Sequence, residues 1–148
     1  MTAPWAGSAV NTAVDSARDL VGAPRLPSIA PEMRAAVALA LAHARARLAL
    51  PALDTIWVAR PGGYDALTDF RPDGRVAIFL NICADLSPRE VARRVLHEAK
   101  HAADGPDFCN AHYAEAEARA NVFAAHVTDE RQTLDFYRLD WRRPSRRH

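Results

Sequence analysis

The chain of 148 residues has only two cysteines, a single lysine, and no apolar run approaching the ~20 residues that a membrane span requires. The N-terminus also lacks the charged start and apolar stretch of a signal peptide. Cys83 and Cys109 do not form the C-x-x-C pair of many metal sites, so we expect free thiols, with a disulfide or an inhibitory thiol ligand as the alternative. These absences argue against a membrane protein and predict a cytoplasmic one.

The chain also lacks an excess of charge of either sign, because 19 basic residues are balanced by 18 acidic residues. A net charge of +1 argues against a protein dedicated to nucleic acid. The exception is the C-terminus (residues 138–148), which carries Arg138, Arg142, Arg143, Arg146 and Arg147. We expect this tail to be disordered, with docking to nucleic acid or an acidic partner as the alternative.

The composition, 49% apolar and 25% charged, predicts one globular domain at residues 28–137, preceded by a flexible arm at residues 1–27. Apolar residues repeat with helical period over residues 31–50. Three strand-like runs follow, at residues 55–60, 64–70 and 75–82, separated by turn sequences. This order predicts an α+β fold with an N-terminal helix and a three-stranded antiparallel sheet.

A second helix is predicted by its end signals. The sequence Ser-Pro-Arg-Glu at residues 87–90 has the form of a capping box with proline at the first helical position. Val91, Val95 and Ala99 then form an apolar stripe, and Gly105-Pro106 ends the helix. The segment between these signals is therefore a helix that docks on a core along one face.

The clearest chemical signal lies in the middle of this helix, where residues 97–101 read His-Glu-Ala-Lys-His, an H-E-x-x-H motif. Two histidines four residues apart project from one helix face and can bind one zinc ion. Glu98 then lies beside the open position of the metal, where it can act as general base for a water molecule. The motif predicts zinc-dependent hydrolysis.

A catalytic zinc of this type needs a third protein ligand, and Glu117 is the strongest candidate. At about 100° per residue, Glu117 is the only charged residue on an alanine-rich face of a helix at residues 111–127. Asn121, one turn further on that face, could hydrogen-bond the unligated nitrogen of a zinc histidine. Asp107 and His112 remain open as alternative ligands, and Glu115 points away and is interpreted as a surface residue.

The two motifs together resemble a known family. Residues 117–124, Glu-Ala-Arg-Ala-Asn-Val-Phe-Ala, follow the H-E-x-x-H motif as in the ImmA/IrrE-type metallopeptidases, whose signature continues with E-x-E-A-N/D-x-F-A. The resemblance implies a minimal zincin-like fold, zinc held at His97, His101 and Glu117, and Glu98 as general base. It also implies a specific protein substrate, such as a repressor or another regulator.

Substrate is expected on the last predicted strand, because it leads directly into the metal helix. An extended peptide could pair with the edge of this strand near Phe79 and Asn81. Two other function classes remain open: a non-catalytic interaction module folded around zinc, and a helical binding protein without metal.

Overall fold

The computed structural model describes residues 29–129 and Leu139, and this part of the chain forms four helices and a three-stranded mixed sheet. The α+β class predicted from the sequence is confirmed. In chain order the elements are α1 (Pro31–Arg47), β1 (Leu53–Val58), β2 (Ala66–Phe70), β3 (Val76–Asn81), α2 (Pro88–Asp104), α3 (Pro106–Ala111) and α4 (Tyr113–Thr128). The predicted N-terminal arm and, apart from Leu139, the arginine-rich tail lie outside the described residues.

The sheet differs from the predicted antiparallel sheet. Its strand order is β1-β3-β2, with β3 parallel to β1 and antiparallel to β2. The chain after β1 therefore passes to the far side of β3 before it forms β2. The prediction had β1 and β2 as neighbours, whereas in the structure β3 lies between them. Central strands are buried on both faces and tend to be continuously apolar, and all six residues of β3 are buried.

The central position of β3 contradicts the predicted role of this strand in substrate binding. Both of its edges are paired, so no edge remains for an added strand. Phe79 is fully buried, and the Asn81 side chain bonds the backbone of Arg60, Tyr64 and Cys83. Phe79 therefore builds core, and Asn81 fixes the loops at the end of the strand.

Helix α2 is the centre of the molecule, because it packs against α1, α4 and the sheet. Its start is the predicted capping box: Ser87 Oγ accepts from the Glu90 N–H, and the Glu90 carboxylate accepts from the Ser87 N–H. Its end is Gly105, where φ is +88°, a value that favours glycine. No helix in the described part of the chain is long and apolar enough to cross a bilayer.

The face of α4 that packs on α2 is rotated from the predicted one. Its buried residues are Ala116, Ala120, Ala124, Val127 and Thr128, whereas Ala114, Ala118, Asn121 and Ala125 are exposed. The small alanine side chains let the two helices approach closely. Glu117 consequently lies at the edge of the helix contact, with 35% of its side chain exposed.

Two arginines of α2 hold the C-terminal end of α4. The buried Arg89 donates to the carbonyl of Thr128 at 2.8 Å, and Arg93 Nε donates to Thr128 Oγ1 at 3.0 Å. Guanidinium groups at this end of a helix also interact favourably with its dipole. The contacts fix α4, and with it Glu117, against the face of α2 that carries His97 and His101.

Candidate metal centre

His97 and His101 stand one helical turn apart on α2 and are both buried. Their Nε2 atoms lie 3.1 Å apart, and the two rings meet edge to face with centroids 4.7 Å apart. Both imidazoles therefore aim the same nitrogen at one point beside the helix.

Glu117 reaches that point from α4. Its Oε1 lies 2.8 Å from His101 Nε2, and its Oε2 lies 3.3 Å from His97 Nε2. Ligand atoms around a tetrahedral zinc, with bonds of about 2.0–2.1 Å, lie about 3.3 Å from one another. The observed separations fit such a site closely, so His97, His101 and Glu117 form a group that could hold a metal ion.

The alternative ligands do not converge on this group. Asp107 and His112 are exposed, and the His112 ring packs on Phe108. Asp104 pairs with Lys100 at 2.8 Å, so this lysine is tied to its own helix and only 22% of its side chain is exposed. Glu115 pairs with Arg119 on the surface, as predicted.

Glu98 lies beside the group without joining it. It is buried, and its carboxylate Oε2 accepts a hydrogen bond from Thr68 Oγ1 at 2.5 Å. Burial raises the pKa of Glu98, while the neighbouring His97 and the Thr68 hydrogen bond act in the opposite direction. A buried carboxylate with a raised pKa next to two imidazoles has the properties of a general base.

Thr68 was not found from the sequence. It belongs to β2, 30 residues before Glu98, and no local pattern marks it. Its hydroxyl also lies 3.0 Å from the Glu98 carbonyl oxygen. Arg94 forms an ion pair with Asp65 at 3.3 Å just before β2, so two contacts hold this strand against the motif helix.

A cavity of about 480 Å³ opens between α2 and α4 next to His97. Its lining includes Arg93, Arg94 and Asn121. Asn121 is exposed here, and among the described contacts it makes no hydrogen bond to either imidazole, so the predicted tautomer-fixing bond is not observed. The cavity is larger than any single side chain, and Arg93, Arg94 and Glu90 place two positive charges and one negative charge at its border.

Tyr113 lies at the start of α4, one turn before Glu117, and is exposed. The Glu117 carboxylate raises the pKa of the Tyr113 phenol, and partial burial and the neighbouring Tyr64 act in the same direction. The phenol therefore keeps its proton at neutral pH and remains a hydrogen-bond donor near the metal group.

Both cysteines are free thiols, as expected. Cys83 is exposed, whereas Cys109 is buried beside the metal group. Burial, followed by the nearby carboxylate of Asp104, raises the pKa of Cys109 to about 11. The group that could hold a metal ion consists of His97, His101 and Glu117, and Cys109 Sγ lies on the Nδ1 side of the His101 ring.

Comparison of the chain with protein-family models, with curated proteins and with solved structures finds no match.

Proposed function

We propose that this protein is a zinc-dependent endopeptidase of the zincin-like type that cleaves a specific protein substrate. The observation that carries the proposal is the meeting of His97, His101 and Glu117 within 2.8–3.3 Å, with Glu98 beside them and outside the ligand set. Two imidazoles and one carboxylate are a typical ligand set of catalytic zinc, which keeps one coordination position for water or substrate.

The ion and the chain have separate roles in the proposed hydrolysis. When bound, zinc supplies a Lewis acid that lowers the pKa of a water molecule and polarises a carbonyl group. Glu98 accepts the proton from water and passes it to the leaving amine. Thr68 holds the Glu98 carboxylate in place, and Tyr113, whose phenol interacts with the Glu117 carboxylate, is the donor we assign to stabilise the developing negative charge.

The outer edge of β2 offers a place for an extended substrate. The Asn81 N–H bonds the Asp65 carbonyl, and hydrogen-bonded pairs alternate along an antiparallel ladder, so the backbone groups of Ala66, Thr68 and Phe70 point away from β3. No described residue pairs with this edge. A peptide added there would run past Thr68, whose side chain touches Glu98.

Two features support the peptidase over the other function classes. A structural zinc is normally closed by four cysteine or histidine ligands, whereas this group has three ligands and a buried carboxylate next to them. The resemblance to the ImmA/IrrE-type enzymes in residues 97–101 and 117–124 agrees with this choice and suggests a repressor or similar regulator as substrate. The cavity beside His97, which Arg93, Arg94 and Glu90 border, offers charged and polar partners to a polar side chain of that substrate.

The first experiment tests the ligand set. We expect purified wild-type protein to bind one zinc ion per chain, measured by elemental mass spectrometry after dialysis. Glu117→Gln should lower the zinc content, because it replaces a carboxylate ligand, whereas Glu115→Gln on the exposed side of the same helix should not. Equal zinc content in the two variants, or none in the wild type, would contradict the proposed centre.

The second experiment separates metal binding from catalysis. Glu98→Gln should keep the fold and the zinc ion but lower hydrolysis by about 10²–10⁴-fold, since a general base is lost. The measurement is the appearance of new N-termini in a proteome-derived peptide library, read by mass spectrometry. Loss of zinc from Glu98→Gln, or unchanged cleavage by it, would show that Glu98 does not have the proposed role.

A further inference from the structure

The contact between Cys109 and His101 links the short helix α3 to the metal group. Cys109 Sγ lies 3.6 Å from His101 Nδ1 and 3.6 Å from the His101 carbonyl oxygen. Both distances are within the range of hydrogen bonds that involve sulfur. The turn at Gly105 brings about this contact, because it folds α3 back against the end of α2.

The direction of these two bonds follows from the imidazole ring. The Nε2 atom of His101 faces His97 and Glu117, so this nitrogen must offer its lone pair to the ion. In a neutral imidazole the proton is then on Nδ1, which needs an acceptor. Among the described contacts, Cys109 Sγ is the partner of Nδ1.

The Cys109 thiol can hydrogen-bond to the Nδ1–H and to the backbone carbonyl of His101 at the same time. Its S–H donates to the backbone carbonyl of His101, which leaves a sulfur lone pair for the Nδ1–H. Most metal-binding histidines donate this proton to a carboxylate, a backbone carbonyl or water. Sulfur is a weaker acceptor, so it fixes the tautomer while adding less to the basicity of the ring.

We propose that Cys109 is a positioning residue of the metal centre, which holds His101 in the Nδ1–H tautomer and aims its Nε2 at the ion. The proposal rests on the zinc site put forward above. It predicts that Cys109 contributes to zinc affinity although it does not touch the ion, and that the exposed Cys83 does not contribute.

The test compares three variants for zinc affinity, by competition with a chromogenic chelator. Cys109→Val replaces the thiol with a slightly larger apolar side chain and removes both hydrogen bonds, so its zinc affinity should fall about 10–100-fold. Cys109→Ser keeps a donor and an acceptor on a shorter side chain and should lie between Cys109→Val and the wild type. Cys83→Val is the matched control and should bind zinc like the wild type.

A second readout reports the tautomer directly. In ¹H–¹⁵N NMR spectra of the zinc-loaded wild type, the Nδ1 proton of His101 should be visible and slow to exchange with water, and in Cys109→Val it should exchange faster. Wild-type zinc affinity in a folded Cys109→Val would overturn the proposal. If that variant does not fold, a rapidly exchanging His101 Nδ1 proton in the wild type would overturn it. Absence of zinc binding by the wild type would instead overturn the metal centre itself.

Discussion

At the scale of single residues, the hydrogen bond from Thr68 to Glu98 sets the state of the proposed base. A hydrogen bond donated to a carboxylate favours its ionised form, so Thr68 lowers the pKa of Glu98 against the larger effect of burial. Glu98 must be ionised to accept a proton from water. Strand β2 therefore influences the pKa of the proposed base through the hydroxyl group of Thr68.

We predict that Thr68→Val lowers kcat/KM about tenfold at neutral pH, since a hydrogen bond to a charged group contributes roughly 1.5 kcal/mol or more. Without the hydroxyl the pKa of Glu98 rises further, so the acid limb of the pH–rate profile should move to higher pH. Thr68→Ser keeps the hydroxyl and should retain the wild-type profile. An unchanged acid limb in Thr68→Val, at wild-type zinc content, would rule out this role.

The residues of the site were predictable to different degrees. His97, Glu98 and His101 follow from spacing within one helix. Glu117 was singled out as the one charge on an alanine-rich face, but the face that packs on α2 is rotated from that one and Glu117 lies at its edge. Thr68 and Cys109 could not be found in this way, because their contacts depend on how β2 and α3 pack against α2. Local periodicity reports which side chains share a helix face but not what packs against that face.

At the scale of elements, helix ends were easier to predict than strand order. The start of α2 could be predicted because Ser87 and Glu90 lie three residues apart and form the two reciprocal hydrogen bonds of a capping box. The turn sequences after β1 and β2 indicate that the chain reverses, but they do not specify which strand becomes the neighbour. The apolar run at residues 76–80 was the one signal of a central strand, and the continuous burial of β3 agrees with it.

We predict that proline at Ala66 lowers peptide cleavage at least about tenfold while the sheet stays intact, because this N–H points away from β3 and only an added substrate strand would use it. Ala66→Ser keeps the N–H and is the control, and circular dichroism checks the fold of both. Leu67→Pro, which removes a donor to β3, should instead lower the melting temperature. Cleavage at the wild-type rate by folded Ala66→Pro would remove the β2 edge from substrate binding.

At the scale of the whole molecule, the group that could hold a metal ion is formed by side chains from two helices that pack on each other. In the proposed centre the ligands come from both α2 and α4, so an ion that binds only the folded chain should stabilise the entire domain.

We predict that free zinc at 100 times its Kd stabilises the protein by about 2.7 kcal/mol and raises Tm by about 5–10 °C relative to the protein in chelator. Glu98→Gln should show the same shift, because Glu98 is not a ligand, whereas His101→Ala should show a much smaller one. Differential scanning calorimetry provides the measurement. Identical melting with zinc and with chelator would contradict a metal centre shared by the two helices.

The chain positions of the site residues have a consequence for the order of folding. His101 and Glu117 are 16 residues apart within three consecutive helices, whereas Thr68 and Glu98 are 30 residues apart. Contacts that are close in sequence form early, and β2 reaches its place only through pairing with β3, which also needs the distant β1. During refolding from denaturant, zinc uptake should therefore precede the recovery of activity, and we expect the nascent protein to pass through a state that holds the proposed metal before the proposed base is aligned.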